Sequence, residues 1–145
     1  MEQYRMIMVA GYLFMMSIMD LKEKRISYAA STVCFIGIVS SFIFEIIKGR
    51  MPDLFSLAGV LLGIALILLS KLTDGSIGMG DGIVFCLTGM VLGLAGNFSL
   101  LCTSLLLAGI LSIVLICTRM IKKSDSIPFV PFVFLAFGGM CLYGI

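Results

Sequence analysis

Long runs of apolar residues, separated by short polar segments, make up most of this chain. Each run approaches the roughly 20 residues that a helix needs to cross the hydrocarbon core of a bilayer. Because lipid offers no partner to unpaired backbone groups, we expect each run to be helical. The predicted helices cover residues 4–19, 29–47, 54–70, 81–95, 99–118 and 128–145. The pattern therefore predicts an all-α, polytopic membrane bundle of about six transmembrane helices.

The composition is far more apolar than that of a soluble domain. Of the 145 residues, 61% are hydrophobic and 12% are charged, whereas a soluble domain carries about 25% charged residues. The predicted spans and their short loops occupy the whole chain, so we expect a single transmembrane domain over residues 1–145. The net charge of +2 comes with no long basic tract, and we therefore expect no nucleic-acid partner.

Glycine marks two further features of the predicted bundle. The dipeptide Gly96-Asn97 leaves almost no room between the fourth and fifth helices, so we expect a tight antiparallel hairpin there. Two pairs of glycines four residues apart would each lie on one helix face, which predicts close helix packing. These pairs are Gly59 with Gly63 and Gly89 with Gly93.

The five cysteines lie within apolar runs and form no Cys-x-x-Cys pair, and the chain has no histidine. A zinc site is therefore not expected, and we predict no metal and no other cofactor. We expect the thiols to act as small, buried apolar side chains. They are Cys34, Cys86, Cys102, Cys117 and Cys141.

Lysine and arginine are distributed unevenly between alternate loops. The segments after the first, third and fifth predicted helices hold Lys22, Lys24, Arg25, Lys71, Arg119, Lys122 and Lys123. The opposite side holds Arg5, Lys48 and Arg50. By the positive-inside rule, the first group is predicted to be cytoplasmic and both termini to lie outside. We therefore expect a multi-pass protein of the inner (plasma) membrane, in contact with the lipid bilayer.

Two aspartates lie at the ends of predicted spans, where a charged group is costly and suggests a function. Asp20 ends the first apolar run, and Asp81 closes a Gly-Met-Gly-Asp tetrapeptide at the start of the fourth. Both fall on the predicted cytoplasmic side. Two carboxylates that share one proton are sufficient for acid–base hydrolysis of a peptide bond. We therefore predict that Asp20 and Asp81 are a catalytic pair.

The residues before Asp81 are candidates for binding a substrate. Gly78 and Gly80 permit a positive φ and a close approach of backbone. With Met79 between them, they would let an extended peptide lie beside Asp81 and form main-chain hydrogen bonds. We therefore predict Gly78, Met79 and Gly80 as substrate-binding residues.

Each acidic residue also has a structural interpretation. Asp81 would cap its own helix and complement the positive end of the helix dipole. Asp20 would be a solvated charge paired with Lys24 one helical turn later. The remaining aspartates, Asp53, Asp74 and Asp125, are interpreted as solvated turn or interfacial charges.

Three landmarks together are similar to motifs of one known family, the type IV prepilin peptidases, which are GxGD intramembrane aspartyl proteases. Asp20 is followed by a basic stretch and Ile26, as in the family's first motif, although Ser27-Tyr28 stands where the family has Pro-Asn. Residues 78–81 resemble the GxGD motif, with Gly82-Ile83 in place of the usual Val-Lys. The run Ile-Pro-Phe-Val-Pro-Phe at residues 127–132 is similar to the family's entry into its last helix.

The resemblance implies a membrane-embedded aspartyl endopeptidase in which Asp20 and Asp81 activate water and protonate the peptide. Its substrate would be a prepilin-like membrane protein, whose short basic leader is cleaved at the cytoplasmic face. The chain resembles the short members that lack the N-terminal methyltransferase domain, so no methyl transfer is expected.

Two other interpretations remain open at this level. The chain would be a small non-enzymatic transporter or channel subunit if the aspartates form an ion or proton site. It would be an inactive scaffold of the protease fold if they no longer catalyse hydrolysis.

Overall fold

The computed structural model describes residues 2–23, 28–49, 54–73, 78–118 and 128–143. Within these ranges the chain forms five α-helices and no strand, which confirms the all-α prediction. The helices lie on the predicted apolar runs, and the fourth and fifth runs share one long helix. They are α1 (Glu2–Glu23), α2 (Tyr28–Ile47), α3 (Leu54–Leu72), α4 (Met79–Cys117) and α5 (Val130–Tyr143).

Two helical segments are long and apolar enough to cross a membrane by length and composition, Gln3–Lys22 and Met79–Cys117. Shorter apolar segments lie in the other helices, at Ser31–Phe44, Ala58–Leu72 and Val130–Leu142. Large apolar side chains also cover much of the outer surface, with Leu72 81% and Leu142 89% exposed. The described residues therefore form an all-α protein with two candidate spans, and six crossings stay a prediction.

The long helix α4 consists of two segments that meet at Gly93. This residue has φ 69° and ψ −176°, a conformation that is essentially restricted to glycine. The side-chain amide of Asn97 donates to the carbonyl oxygen of Phe85 at 2.9 Å, although twelve residues of straight helix would separate them by about 18 Å. The chain therefore bends sharply at Gly93.

The predicted hairpin is consequently wrong in its position. Gly96 and Asn97 lie inside the helix that follows the bend. The break falls earlier because Gly93 adopts the positive φ, and Asn97 instead bonds the two segments together.

Helix α3 contacts α4 and no other helix in the described part of the chain. Glycines line this contact. A methyl group on Gly59 would overlap the backbone of Gly89 and Gly93, and one on Gly63 would overlap Cys86. The predicted close packing at the glycines is therefore confirmed, with Gly59 lying against Gly89 and Gly93 and Gly63 lying against Cys86.

A second contact region joins α1, α2, α5 and the first part of α4 through large side chains. Its fully buried members include Leu13, Ile38, Phe85 and Phe137. The hydroxyl groups of Tyr12 and Ser31 share a buried hydrogen bond of 2.9 Å between α1 and α2. These contacts pack α1 against α2, α5 and α4.

The cysteine prediction is wrong for most of the thiols. All five are free, but only Cys34 is buried and Cys86 is half-buried. Cys102, Cys117 and Cys141 are exposed because they lie on outer faces of α4 and α5. Such faces suit lipid, and a thiol is apolar enough to be placed there.

Candidate functional site

Asp20 lies in the last turn of α1 and is only 9% exposed. Its Oδ2 atom accepts a hydrogen bond from the backbone N–H of Val130 at 3.0 Å. Val130 is the first residue of α5, so its N–H belongs to the group that a helix cannot satisfy internally. Asp20, on α1, thus supplies a hydrogen-bond acceptor to the first N–H of α5.

The start of α5 has further contacts with its surroundings. The Ser17 hydroxyl, one turn before Asp20, donates to the carbonyl oxygen of Leu13 at 2.7 Å and reaches that of Val130 at 3.4 Å. The ring of Phe129 stacks on Phe85 of α4, with centroids 6.4 Å apart. The first residues of α5 therefore touch both α1 and α4.

Asp81 lies in the first turn of α4 and is half-buried. Gly78 precedes this helix in an extended conformation, with φ −63° and ψ 122°. The Asp81 N–H donates to the Gly78 carbonyl oxygen at 3.0 Å. The Asp81 carboxylate folds back beside Gly78, where an added Cβ would lie 3.0 Å from Oδ2.

The two aspartates, 61 positions apart in the sequence (81 minus 20), come close in space. Helix α1 contacts α4, and the negative charge of Asp20 acts directly on the carboxyl group of Asp81. Two like charges at short range hold one proton between them more readily than none. Such a pair has the chemical equipment to accept one proton and donate another.

Neither Gly78 nor Gly80 adopts the positive φ that the sequence analysis allows for them. Among the described glycines, only Gly49 and Gly93 have a positive φ. Gly78 is extended and Gly80 lies in the helix. The structure gives Gly78 a different role, since the missing side chain leaves room for the Asp81 carboxylate.

The tetrapeptide is nevertheless open to a partner. Gly78 is exposed, Met79 is 46% exposed and Gly80 is half-buried. These residues directly precede Asp81 at the start of α4. Their binding of a substrate stays a prediction.

The N-cap residue of α4 is Gly78 and not Asp81, and no side-chain capping hydrogen bond forms there. Lys24, the supposed partner of Asp20, lies outside the described residues, as do Asp53, Asp74 and Asp125. The partner that the structure assigns to Asp20 is the Val130 N–H.

Sequence reasoning missed the part that Val130 and Phe129 take in this site. A backbone N–H donor cannot be recognised from the type of residue, so Val130 looks like any other apolar residue in the sequence. The available signal was the pair Pro128 and Pro131, which frame the start of α5. Proline is favoured where a helix begins, because the first amides have no partner within the helix.

No group of three His, Cys, Asp or Glu side chains that could hold a metal ion occurs in the described ranges. Comparison with protein families, with curated proteins and with solved structures found no match for the chain. The proposed function therefore rests on the geometry of the site and on the sequence motifs.

Proposed function

We propose that the chain is a membrane-embedded aspartyl endopeptidase that cleaves the short basic leader from prepilin-like proteins. Asp20 and Asp81 act on a water molecule and on the carbonyl group of the scissile peptide. One carboxylate, ionised, takes a proton from water while the other, protonated, donates to the carbonyl oxygen. The roles reverse when the amine leaves.

One observation supports this proposal above the others. Two carboxylates from different helices, α1 and α4, lie within electrostatic range at the ends of apolar helices. Bringing two like charges together in an apolar environment costs free energy, so the arrangement favours a functional reason over a structural one. Paired aspartates are the recurring solution for hydrolysing peptides without a covalent intermediate.

The surroundings of the pair suit a peptide substrate. Gly78 and Met79 are exposed next to the half-buried Asp81 carboxylate. A leader segment that leaves the membrane in extended form would pass over this N-terminal turn of α4. Its basic residues would be attracted by the two carboxylates, because the charges are opposite.

The decisive experiment is cleavage of a co-expressed prepilin by the wild-type chain and by Asp20→Asn and Asp81→Asn. Each substitution keeps the size of the side chain but removes its acid–base chemistry, so we expect cleavage to fall by roughly 10²- to 10⁴-fold. Asp125→Asn serves as a control and should retain activity. Full activity in either pair variant would refute the assignment.

The same variants separate the peptidase from an ion-conducting protein. Purified wild-type chain in vesicles should cleave prepilin and should not dissipate a proton or sodium gradient. A gradient lost with the wild type but kept with Asp81→Asn, without any cleavage, would favour the transport function.

We also propose a multi-pass arrangement in the plasma membrane, with the aspartates at the cytoplasmic face. Lys22 and Lys48 are both exposed and belong to opposite sides in the charge distribution. In a background without native cysteines, Lys22→Cys should react with a thiol reagent from the cytoplasm and Lys48→Cys from outside. The reverse labelling would overturn this orientation.

A further inference from the structure

We propose that the dipeptide Phe129-Val130, at the start of α5, positions the two catalytic carboxylates relative to each other. This inference rests on the proposed peptidase function and adds two positioning residues to it. Neither residue carries a group that takes part in proton transfer. Their effect is exerted through Asp20 on one side and through the first turns of α4 on the other.

The link to Asp20 is a hydrogen bond in a buried place. The Val130 N–H donates to Oδ2 of Asp20 at 3.0 Å, and Val130 is 1% exposed while Asp20 is 9% exposed. Water therefore has little access to replace the bond. A hydrogen bond to a charged acceptor is short and directional, so this bond fixes the rotation of the carboxylate.

The link to Asp81 runs through aromatic rings. Phe129 stacks on Phe85 with an interplanar angle of 27° and a centroid distance of 6.4 Å. Phe85 is completely buried and follows Asp81 by four residues, which places both on the same face of α4. A displacement of Phe129 would therefore be transmitted to the helical turn that carries Asp81.

Val130 thus holds the Asp20 carboxylate directly, and the adjacent Phe129 packs against the helix that carries Asp81. Their backbone is short and cannot stretch, so the distance between the two carboxylates depends on how α5 begins. Misplacement of a reacting group by about 1 Å can lower a rate by about 10²-fold. The predicted consequence is a loss of turnover without a loss of substrate binding.

The test of the Asp20 link compares Val130→Pro with Val130→Ala in the full chain. Proline removes the N–H yet is well tolerated as the first residue of a helix, whereas alanine shortens the side chain and keeps the N–H. We expect kcat of Val130→Pro to lie at least about tenfold below that of Val130→Ala, with KM values within about twofold. Equal kcat values in the two variants would overturn the inference.

The test of the Asp81 link uses the two aromatic contacts of α5. Phe129→Leu breaks the stacking on Phe85, whereas Phe134→Leu breaks the contact with Phe14, whose ring lies 5.6 Å away on α1. We expect kcat to fall by about tenfold in Phe129→Leu and to stay near the wild-type value in Phe134→Leu. An equal loss in both would show general loosening of α5 and would overturn the inference.

Folding of every variant is checked by its thermal unfolding midpoint in mild detergent. If Val130→Pro does not yield folded protein, the comparison of Phe129→Leu with Phe134→Leu decides. A wild-type chain that cleaves no prepilin would refute the proposed function and the inference together. A wild type that cleaves, with variants that show no difference in kcat, would refute the inference alone.

Discussion

The α3–α4 contact and the contact among α1, α2 and α5 bury helices in opposite ways. Between α3 and α4, glycines allow backbone to meet backbone, and a methyl group on Gly59 or Gly89 would overlap the backbone of the opposite helix. Around α1, large side chains such as Leu13, Ile38 and Phe137 fill the space between the helices. One region depends on the absence of side chains, and the other depends on their presence.

The two kinds of packing determine where each region can tolerate change. In the proposed membrane arrangement, apolar side chains would gain little by leaving lipid for one another, and helices would associate through close packing and hydrogen bonds. The α3–α4 contact uses both, because the Asn97 amide bonds the carbonyl oxygens of Gly59 and Phe85 at 3.0 and 2.9 Å. Helix α4 takes part in both regions, and Asp81 lies where they meet.

The largest effect on stability is expected from adding one carbon atom to the glycine contact. In Gly59→Ala the new methyl group would meet the Gly89 carbonyl oxygen and the Gly93 backbone, which cannot rotate away as a side chain can. We expect a loss of about 3 kcal/mol in the free energy of unfolding. Thermal unfolding in mild detergent measures it.

The control for this prediction is Gly138→Ala, since nothing lies within 4 Å of a Cβ at that position. It should leave the unfolding midpoint unchanged or raise it, because alanine favours the helix. A midpoint that falls equally in both variants would show that the α3–α4 contact is not limited by space.

The second effect concerns Asn97, whose side chain connects both halves of α4 to α3. Its Nδ2 donates to Gly59 and Phe85, and its Oδ1 accepts from the Thr88 hydroxyl at 2.7 Å. In Asn97→Leu these buried groups lose their partner, and we expect a loss of about 2 kcal/mol.

A matched control is Ser112→Ala. Among the described residues, the Ser112 hydroxyl bonds within its own helix, to the Ala108 carbonyl oxygen at 2.6 Å, so its loss should change the unfolding midpoint little. If Asn97→Leu is as stable as Ser112→Ala, glycine packing alone holds the bend at Gly93.

The third effect removes a carbon atom from the other region. Ile38 is completely buried in the contact of α2 with its neighbours. Ile38→Val leaves a cavity of about one methylene group, for which we expect a loss of about 1 kcal/mol. Ile38→Val and Gly59→Ala each change the side chain by one carbon atom, so their losses in the free energy of unfolding can be compared directly. A larger loss in Ile38→Val would show that the α3–α4 contact is the more tolerant of the two regions.

Much of the helical layout could be predicted from the sequence, because long apolar runs separated by short polar segments indicate helices. The sequence predicts the bend at Gly96-Asn97, whereas it occurs at Gly93. Every glycine looks alike in a sequence, and the one that adopts a positive φ is selected by packing. Asn97 contributes to this packing through hydrogen bonds to residues 12 and 38 positions away.

The two carboxylates of the candidate site could be predicted from the sequence, but the groups that hold them in place could not. Charged residues among apolar ones are conspicuous, so Asp20 and Asp81 could be selected directly. The Val130 N–H that holds Asp20 is a backbone group, and the space that Gly78 leaves for Asp81 is an absence of atoms. Neither has a signature in the order of residues.

The smallest effect on stability, and a sharp one on activity, is expected at Gly78. Alanine there would put a Cβ 3.0 Å from Oδ2 of Asp81, so the carboxylate must shift by a few tenths of an ångström or rotate. As a poor N-cap residue, alanine should cost about 0.5 kcal/mol. Under the proposed peptidase function, cleavage of prepilin should fall by roughly tenfold, because the Asp81 carboxylate would be misplaced.

Gly78→Ser separates these two causes. Serine is a better N-cap residue than alanine and should restore the stability of the start of α4, yet it carries the same Cβ beside the Asp81 carboxylate. If crowding of the carboxylate matters, Gly78→Ser will be as stable as the wild type and about as slow as Gly78→Ala. If activity instead returns together with stability, Gly78 serves the helix start alone, and the site depends on the α1–α5 side of the molecule for the position of its carboxylates.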